Sequence, residues 1–232
     1  MWPLLHVPVG PPEGGPPEAG LRHEAERLIE EAAAVAAKEN PAVPVSTDLI
    51  TGAPAPALLR EVRTAELVVL GDRGLGGFSG LLVGSVAVQV AAHSPVPVLV
   101  AKGRLAEQGL VVVGVDGSPE SLSAVECAFQ EAAYRRVELV AVHGWTGADA
   151  QGAERLLSEA IAGHRERFPD VTVRPEVIHD RPARALVKLS EDAQLVVVGS
   201  RGPGGFTGLL LGSVSQQVLH HSRCPVLIVR HP

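Results

Sequence analysis

Short apolar runs rich in valine alternate along the chain with longer stretches whose apolar residues fall three and four positions apart. Runs of the first kind, such as residues 110–115 and 195–198, have the continuous hydrophobicity of strands buried on both faces. The second kind is typified by Ala25, Leu28, Ile29, Ala32, Val35 and Ala36, one stripe of an amphipathic helix over 21–38. Read this way, the N-terminal part predicts a strand end at 4–7, strands at 43–50, 67–70 and 96–101, and helices at 21–38, 56–64 and 84–92. Residues 10–20, rich in Gly and Pro, are expected to be an exposed loop. Residues 102–108 are short and charged, a linker. The remainder predicts strands at 110–115, 137–142, 171–178, 195–198 and 224–229, with helices at 118–136, about 151–167, 182–190 and 212–221. Strands alternating with helices imply parallel sheets flanked by helices on both faces.

One segment is unlike the rest in its density of glycine. After the strand at 195–198 come Gly199, Arg201, Gly202, Gly204, Gly205, Gly208 and Gly212-Ser213-Val214, the last opening a helical pattern. Glycine allows a tight turn and a close approach of backbone to a ligand. A serine beside the free N–H groups of a helix start adds a site for an anion. The same segment occurs earlier, from Gly71, Arg73 and Gly74 to Gly84-Ser85-Val86. Residues 71–100 and 199–228 are identical at 19 of 30 positions, and the offset of 128 holds without a gap from Glu26/Glu154 to Lys102/Arg230. Loop glycines match as well as core positions, so the chain is a tandem repeat.

Gly-x2-Gly-x9-Gly-Ser after a parallel strand, with Asp116 closing an earlier strand (Gly114-Val115-Asp116-Gly117-Ser118), resembles the universal stress protein family. The likeness is to its ATP-binding branch in tandem two-domain form. The resemblance implies an α/β chain of two Rossmann-like (adenine nucleotide alpha hydrolase-like) parallel-sheet sandwiches, with domains at 1–102 and 109–232. It also implies ATP, alone or with Mg²⁺, as the ligand, with Asp116 near the nucleoside. Val115, Gly117, Ser118 and Val142 would line that end. Gly199, Arg201, Gly202, Gly212, Ser213 and Val214 would surround the phosphates. A second, degenerate site would comprise Gly71, Arg73, Gly74, Gly84 and Ser85. The first unit opens on the counterpart of residues 137–142, not 110–115. In the sheet order 3-2-1-4-5 that the resemblance implies, it therefore lacks its central first strand and first helix. A start upstream of Met1 is the favoured explanation.

Each candidate has a plainer reading. Asp116 could form an Asx turn or cap the next helix. The glycines could be a flexible turn, Ser213 an ordinary cap, and Arg201 a solvated cation. Val142, His143 and Gly144 could line the base by backbone contacts, and the His143 side chain, with no acidic or Cys partner nearby in sequence, reads as structural rather than ligating. His93 and His220-His221 end helices, where a cation suits the dipole, so capping is preferred to metal binding. Gly202 and Gly212-Ser213 combined with Asp116 favour nucleotide over these.

Composition narrows the field further. Apolar content is 46% with only 3% aromatics, so the cores are built from Val, Leu and Ala. The formal charge of −6 leaves no basic footprint for nucleic acid. No run approaches the length of a membrane-spanning helix, and the N-terminus lacks the features of a signal peptide. Cys127 and Cys224 have no metal or redox spacing and read as reduced core thiols of a cytoplasmic protein. There is no Gly-Lys pair for a Walker loop, no complete dinucleotide fingerprint, and His23-Glu24 is not followed by the second His of a zinc motif. Three functions compete: an ATP-binding regulator working through conformation or partners, a nucleotide-free dimerisation module, and an ATPase or phosphotransferase. They are preferred in that order. The strands at 96–101 and 224–229 are expected at sheet edges, pairing the units about a pseudo-two-fold axis. One strong ATP site, in the second unit, and lower stability for residues 1–50 are expected.

Overall fold

Proline and serine start several of the helices. Ser118 caps α4 (Pro119–Arg135) by accepting from Ser121 N at 3.2 Å, with Pro119 in the first turn, and Arg136 closes it in the left-handed region at φ 56°. Asp149 caps α5 (Ala150–Arg167) through Gly152 N at 2.8 Å. Prolines open α2 (Pro54–Glu61), continued by a 3-10 turn to Thr64, and α6 (Pro182–Leu189). The computed structural model describes residues 17–72, 83–103, 109–203 and 211–231. The remaining helices are α1 (Pro17–Glu39), α3 (Ser85–His93) and α7 (Ser213–His221). The strands are β1 (Val68–Gly71), β2 (Val98–Ala101), β3 (Leu110–Gly114), β4 (Leu139–Gly144), β5 (Val173–Ile178), β6 (Ala193–Gly199) and β7 (Val226–Val229).

Two expected sheets are one. The seven strands form a single sheet in the order β1-β2-β7-β6-β3-β4-β5. Within the second unit the order β5-β4-β3-β6-β7 is the expected 3-2-1-4-5, and every pairing there is parallel. The exception to parallel pairing is the seam, where β2 and β7 run antiparallel with Val98 opposite Ile228 and Val100 opposite Val226. Each is the last strand of its unit. Their outer edges, which would otherwise expose unpaired backbone groups, satisfy one another and become sheet interior.

Valine alternation puts successive side chains on opposite faces. Val196 and Val198 join a core with α2, α3, α6 and α7 that runs across the seam, whereas Leu195 and Val197 pack under α4 and α5. The first unit is less completely covered. Leu67 and Val69, counterparts of Leu195 and Val197, are 44% and 59% exposed, against 1% and 0% in the second unit. Helix α1 is mostly solvated and carries i,i+4 ion pairs, Arg22–Glu26 and Arg27–Glu31.

Three expectations need correction. Residues 43–50 are not a strand but an irregular, largely exposed segment. Strands exist through partners, and the segment expected beside this one, 4–7, lies outside the described residues. Residues 17–20, expected in a loop, already belong to α1. The strands at 96–101 and 224–229 do pair the two units, as expected, but that same pairing merges the two sheets, so neither strand is an edge of the whole.

The seam is also tied by side chains across the repeat. Lys102 Nζ donates to the carbonyls of Leu219 and His220, at 2.8 and 3.1 Å, at the end of α7. Its counterpart Arg230 donates to the carbonyl of Ala92 at the end of α3. Each unit thus supplies the cation that caps the other unit's last helix, where the dipole is negative. Burial, then His221 and Lys102, push the imidazole pKa of His220 below the usual value. His93 does serve its own helix, with Nδ1 2.8 Å from the carbonyl of Gln89. Arg230→Ala should lower stability by about 1 to 3 kcal/mol, since it leaves a helix-end carbonyl at the seam without its charged donor. A urea midpoint equal to wild type would show that this tie contributes nothing.

Candidate functional site

The C-terminal ends of β3, β4 and β6 converge where the strand order reverses, the place where open α/β sheets bind ligands. A cleft of about 590 Å³ opens there, lined on the sheet side by Val115, Asp116, Val142 and Gly199 and closed by α6 and the start of α7. That volume is in the range of small-molecule sites, about 300 to 1,000 Å³.

Glycine makes this convergence possible. A Cβ on Gly144 would lie 2.6 Å from Pro182 Cα, and one on Gly114 2.9 Å from Leu186 Cδ1, so α6 rests directly on two strand ends. A Cβ on Gly199 would lie 2.8 Å from the Glu120 backbone, so the first turn of α4 sits against β6. Gly117 has φ +79°, the left-handed turn needed to leave the strand after Asp116.

Asp116 is held on one side only. Its Oδ1 accepts from Ser118 N at 2.9 Å and Ser118 Oγ at 2.5 Å, and its own N–H donates to Ser121 Oγ at 3.3 Å. This is the Asx arrangement expected of a turn residue, but it uses one carboxylate oxygen. The other, Oδ2, faces Gly202, where a Cβ would come within 2.5 Å of it. No described residue donates to Oδ2.

The end of the cleft at the start of α7 is built from backbone. Gly212 N donates to Ser200 O at 2.7 Å, and Ser200 N to Val229 O at 2.7 Å, which ties the start of α7 to the ends of β6 and β7. Gly212 begins α7 without a side-chain cap, so the N–H groups of the first turn keep their donor capacity. Ser215 Oγ donates to Gly199 O at 2.6 Å, anchoring α7 to the end of β6. Arg201 is exposed, with its guanidinium 3.5 Å from Glu120 Oε1. Arg201 also influences Arg230, whose pKa is depressed first by burial and then by this neighbouring charge. Ser200 Oγ is buried with no hydrogen-bond partner among the described residues.

The cleft brings together Val115, Asp116, Val142, Gly199, Arg201, Gly202, Gly212, Ser213 and Val214 of the expected set. Gly117 and Ser118 stand behind Asp116 and shape its turn instead of lining the cleft. In the first unit, Gly71 ends β1, and Gly84 N donates to Asp72 O at 2.6 Å, repeating the Gly212–Ser200 bond. Gly84 and Ser85 open α3 as Gly212 and Ser213 open α7. Arg73 and Gly74 lie outside the described residues. Sequence reasoning missed Ser121, Pro182, Leu186, Leu211 and Ser215, which also line the cleft. For Pro182 and Leu186 there was a signal: Gly114 and Gly144, at strand ends, mark where a helix must come close.

Among the described residues no cluster of His, Cys, Asp and Glu could hold a metal ion, and no helix is long and apolar enough to cross a membrane. Cys224 is buried and Cys127 half-buried, and burial raises both thiol pKa values, so neither has thiolate character.

Comparison with known proteins agrees with this architecture. A universal stress protein of Mycobacterium tuberculosis is 44% identical over 203 residues, covering 80% of this chain and 69% of that protein. Another from the same organism is 39% identical over 235 residues, covering 90% and 74%. Among solved structures, a universal stress protein from Archaeoglobus fulgidus superposes with a TM-score of 0.74 at 24% identity, over 92% of this chain and 78% of that one. At that identity the likeness speaks for the fold alone. The profile of the universal stress protein family matches residues 2–102 and again 110–230, and with these relatives it shows that the chain belongs to that family.

Proposed function

We propose that the cleft of the second unit binds ATP and that the protein is a nucleotide-dependent regulator in stress response, acting through conformation or partner binding. The observation that carries this reading is the half-used carboxylate of Asp116. Ser118 occupies Oδ1, while Oδ2 has no described donor and lies against Gly202, a residue of the cleft lining with no side chain. A carboxylate accepts hydrogen bonds only, and a ribose hydroxyl is a donor of the right kind. Gly199, Gly212 and Ser213 at the start of α7, with Gly202 beside Asp116, present backbone and a hydroxyl to the phosphates. Apolar Val115, Val142 and Leu186 suit the base. When bound, the nucleotide supplies a polyphosphate charge beside Arg201, and Mg²⁺ could accompany it.

This reading divides the chain into domains at 1–102 and 109–232 and makes the first the poorer site. The gap-free repeat pairs 26–102 with 154–230, so Asp116 has no counterpart within it. Binding is favoured over phosphoryl transfer because Asp116 is the one carboxylate lining the described cleft. Transfer chemistry needs a metal-holding acid and a group that positions the nucleophile. A dimerisation module without nucleotide would have no use for the glycine cradle that is kept here. A cytoplasmic location is consistent with reduced, inert thiols.

Titration calorimetry with ATP should show one strong site per chain. Asp116→Ala should weaken it by about 100-fold, roughly 2.7 kcal/mol. Two equivalent sites, or an Asp116→Ala variant with wild-type affinity, would overturn the assignment. A turnover assay on the same sample separates a regulator from an ATPase.

A further inference from the structure

His143 takes no direct part in the cleft. In β4, Leu139 and Ala141 pack in the layer beneath α4 and α5, whereas Val140 and Val142 belong to the core on the cleft side. Strand alternation therefore puts His143 with Leu139 and Ala141, on the face away from the cleft. Its ring reaches across to the neighbouring strand, with Nδ1 2.7 Å from the carbonyl oxygen of Val115. A carbonyl can only accept, so Nδ1 carries the proton.

That contact falls on the residue before Asp116. Val115 is 4% exposed, and its N–H already donates to Val142 O at 2.8 Å. The peptide joining Val115 to Asp116 is thus held at both ends, its carbonyl by His143 and its N–H, that of Asp116, by Ser121 Oγ. Asp116 N donates to Ser121 Oγ, Gly117 makes the left-handed turn, and Ser118 takes Oδ1. The direction of Oδ2 then depends on two supports, the Ser118 bonds to Oδ1 and the backbone that His143 helps to hold. A site held by a supporting layer of hydrogen bonds discriminates better than one whose residues can drift.

We propose that His143 is a positioning residue that aims Asp116 Oδ2 and thereby sets the selectivity of the cleft for ribose hydroxyls. The proposal rests on the nucleotide reading above for its ligand, but not for its geometry. The full-length protein would be titrated with ATP, 2′-deoxy-ATP, 3′-deoxy-ATP and inorganic tripolyphosphate. Wild type should prefer ATP over at least one deoxy analogue by about tenfold or more. His143→Ala should erase that preference while binding tripolyphosphate as before. His143→Asn, whose amide nitrogen falls near the place of Nδ1, should restore it. An alanine variant that keeps the preference, or loses affinity for tripolyphosphate to the same extent, would overturn the proposal.

A second measurement needs no ligand. Amide hydrogen exchange at Asp116, Gly117 and Ser118 should quicken by about tenfold in His143→Ala and return toward wild type in His143→Asn. Unchanged exchange there would overturn the positioning role whatever the cleft binds. Quickened exchange in a protein with no affinity for ATP would uphold it and defeat the nucleotide reading instead.

Discussion

Gly103→Ala is expected to be the most damaging glycine-to-alanine change among the described residues, lowering stability by about 3 to 5 kcal/mol. Gly103 follows the cross-capping Lys102 and adopts φ +67°, a conformation that L side chains rarely take. A Cβ there would lie 1.8 Å from the carbonyl oxygen of Arg223 and 2.6 Å from its carbon. Both are backbone atoms of the turn between α7 and β7, so no rotamer change relieves the clash. The linker would have to lift from the second unit, carrying Lys102 with it and straining the antiparallel pairing of β2 with β7. Urea unfolding of the variant measures this directly. Gly163→Ala is the control: it lies within α5, has open space around its Cβ, and should gain about 0.5 to 1 kcal/mol from helix propensity. A Gly103→Ala midpoint equal to wild type would mean that the linker is not seated on Arg223.

Gly212→Val should cost at least about 100-fold in ATP affinity, roughly 2.7 kcal/mol, while the protein still unfolds cooperatively. A Cβ on Gly212 would meet Arg201 Cα and Ser200 O at 3.3 Å each, close but within what small shifts absorb. The branch of valine then adds volume to the cleft lining at the first turn of α7. Phosphate must approach the backbone at that turn to reach its N–H groups. The matching change in the first unit, Gly84→Val, should leave the strong site untouched. Calorimetry in which Gly212→Val binds ATP as wild type does would refute the cradle, and an equal loss from Gly84→Val would refute its assignment to the second unit.

Much of this was legible before any coordinates, because it depends on local pattern. The runs at 110–115 and 195–198 are apolar at every position and lie at the centre of the sheet, where both faces are covered. The helix at 182–190 begins at a proline and was located to within a residue. The repeat placed Gly84 and Gly212 in equivalent roles, and both accept the same duty in the structure, donating to the carbonyls of Asp72 and Ser200. Asp116, two residues beyond the end of β3, needed no more than its position to be singled out, since charge at the end of a buried strand requires partners.

What the sequence could not supply is everything that depends on which surfaces meet. Residues 43–50 have the composition of a strand, yet a strand is a relation between two segments and this one has no described partner. The strands at 96–101 and 224–229 read as edges because each is short and apolar with a proline near its start, Pro97 and Pro225. Their pairing of the units was expected, but only the fold shows it to be an antiparallel ladder that makes one continuous sheet. The reciprocal caps from Lys102 and Arg230 join residues more than 100 positions apart, at distances that no local pattern encodes. His143 looked merely structural along the chain. The fold alone puts its Nδ1 against the carbonyl of Val115, because parallel pairing of β3 with β4 brings the two strand ends side by side. Propensity and periodicity determined which elements form, whereas burial and hydrogen-bond satisfaction between distant segments decided what those elements do for one another.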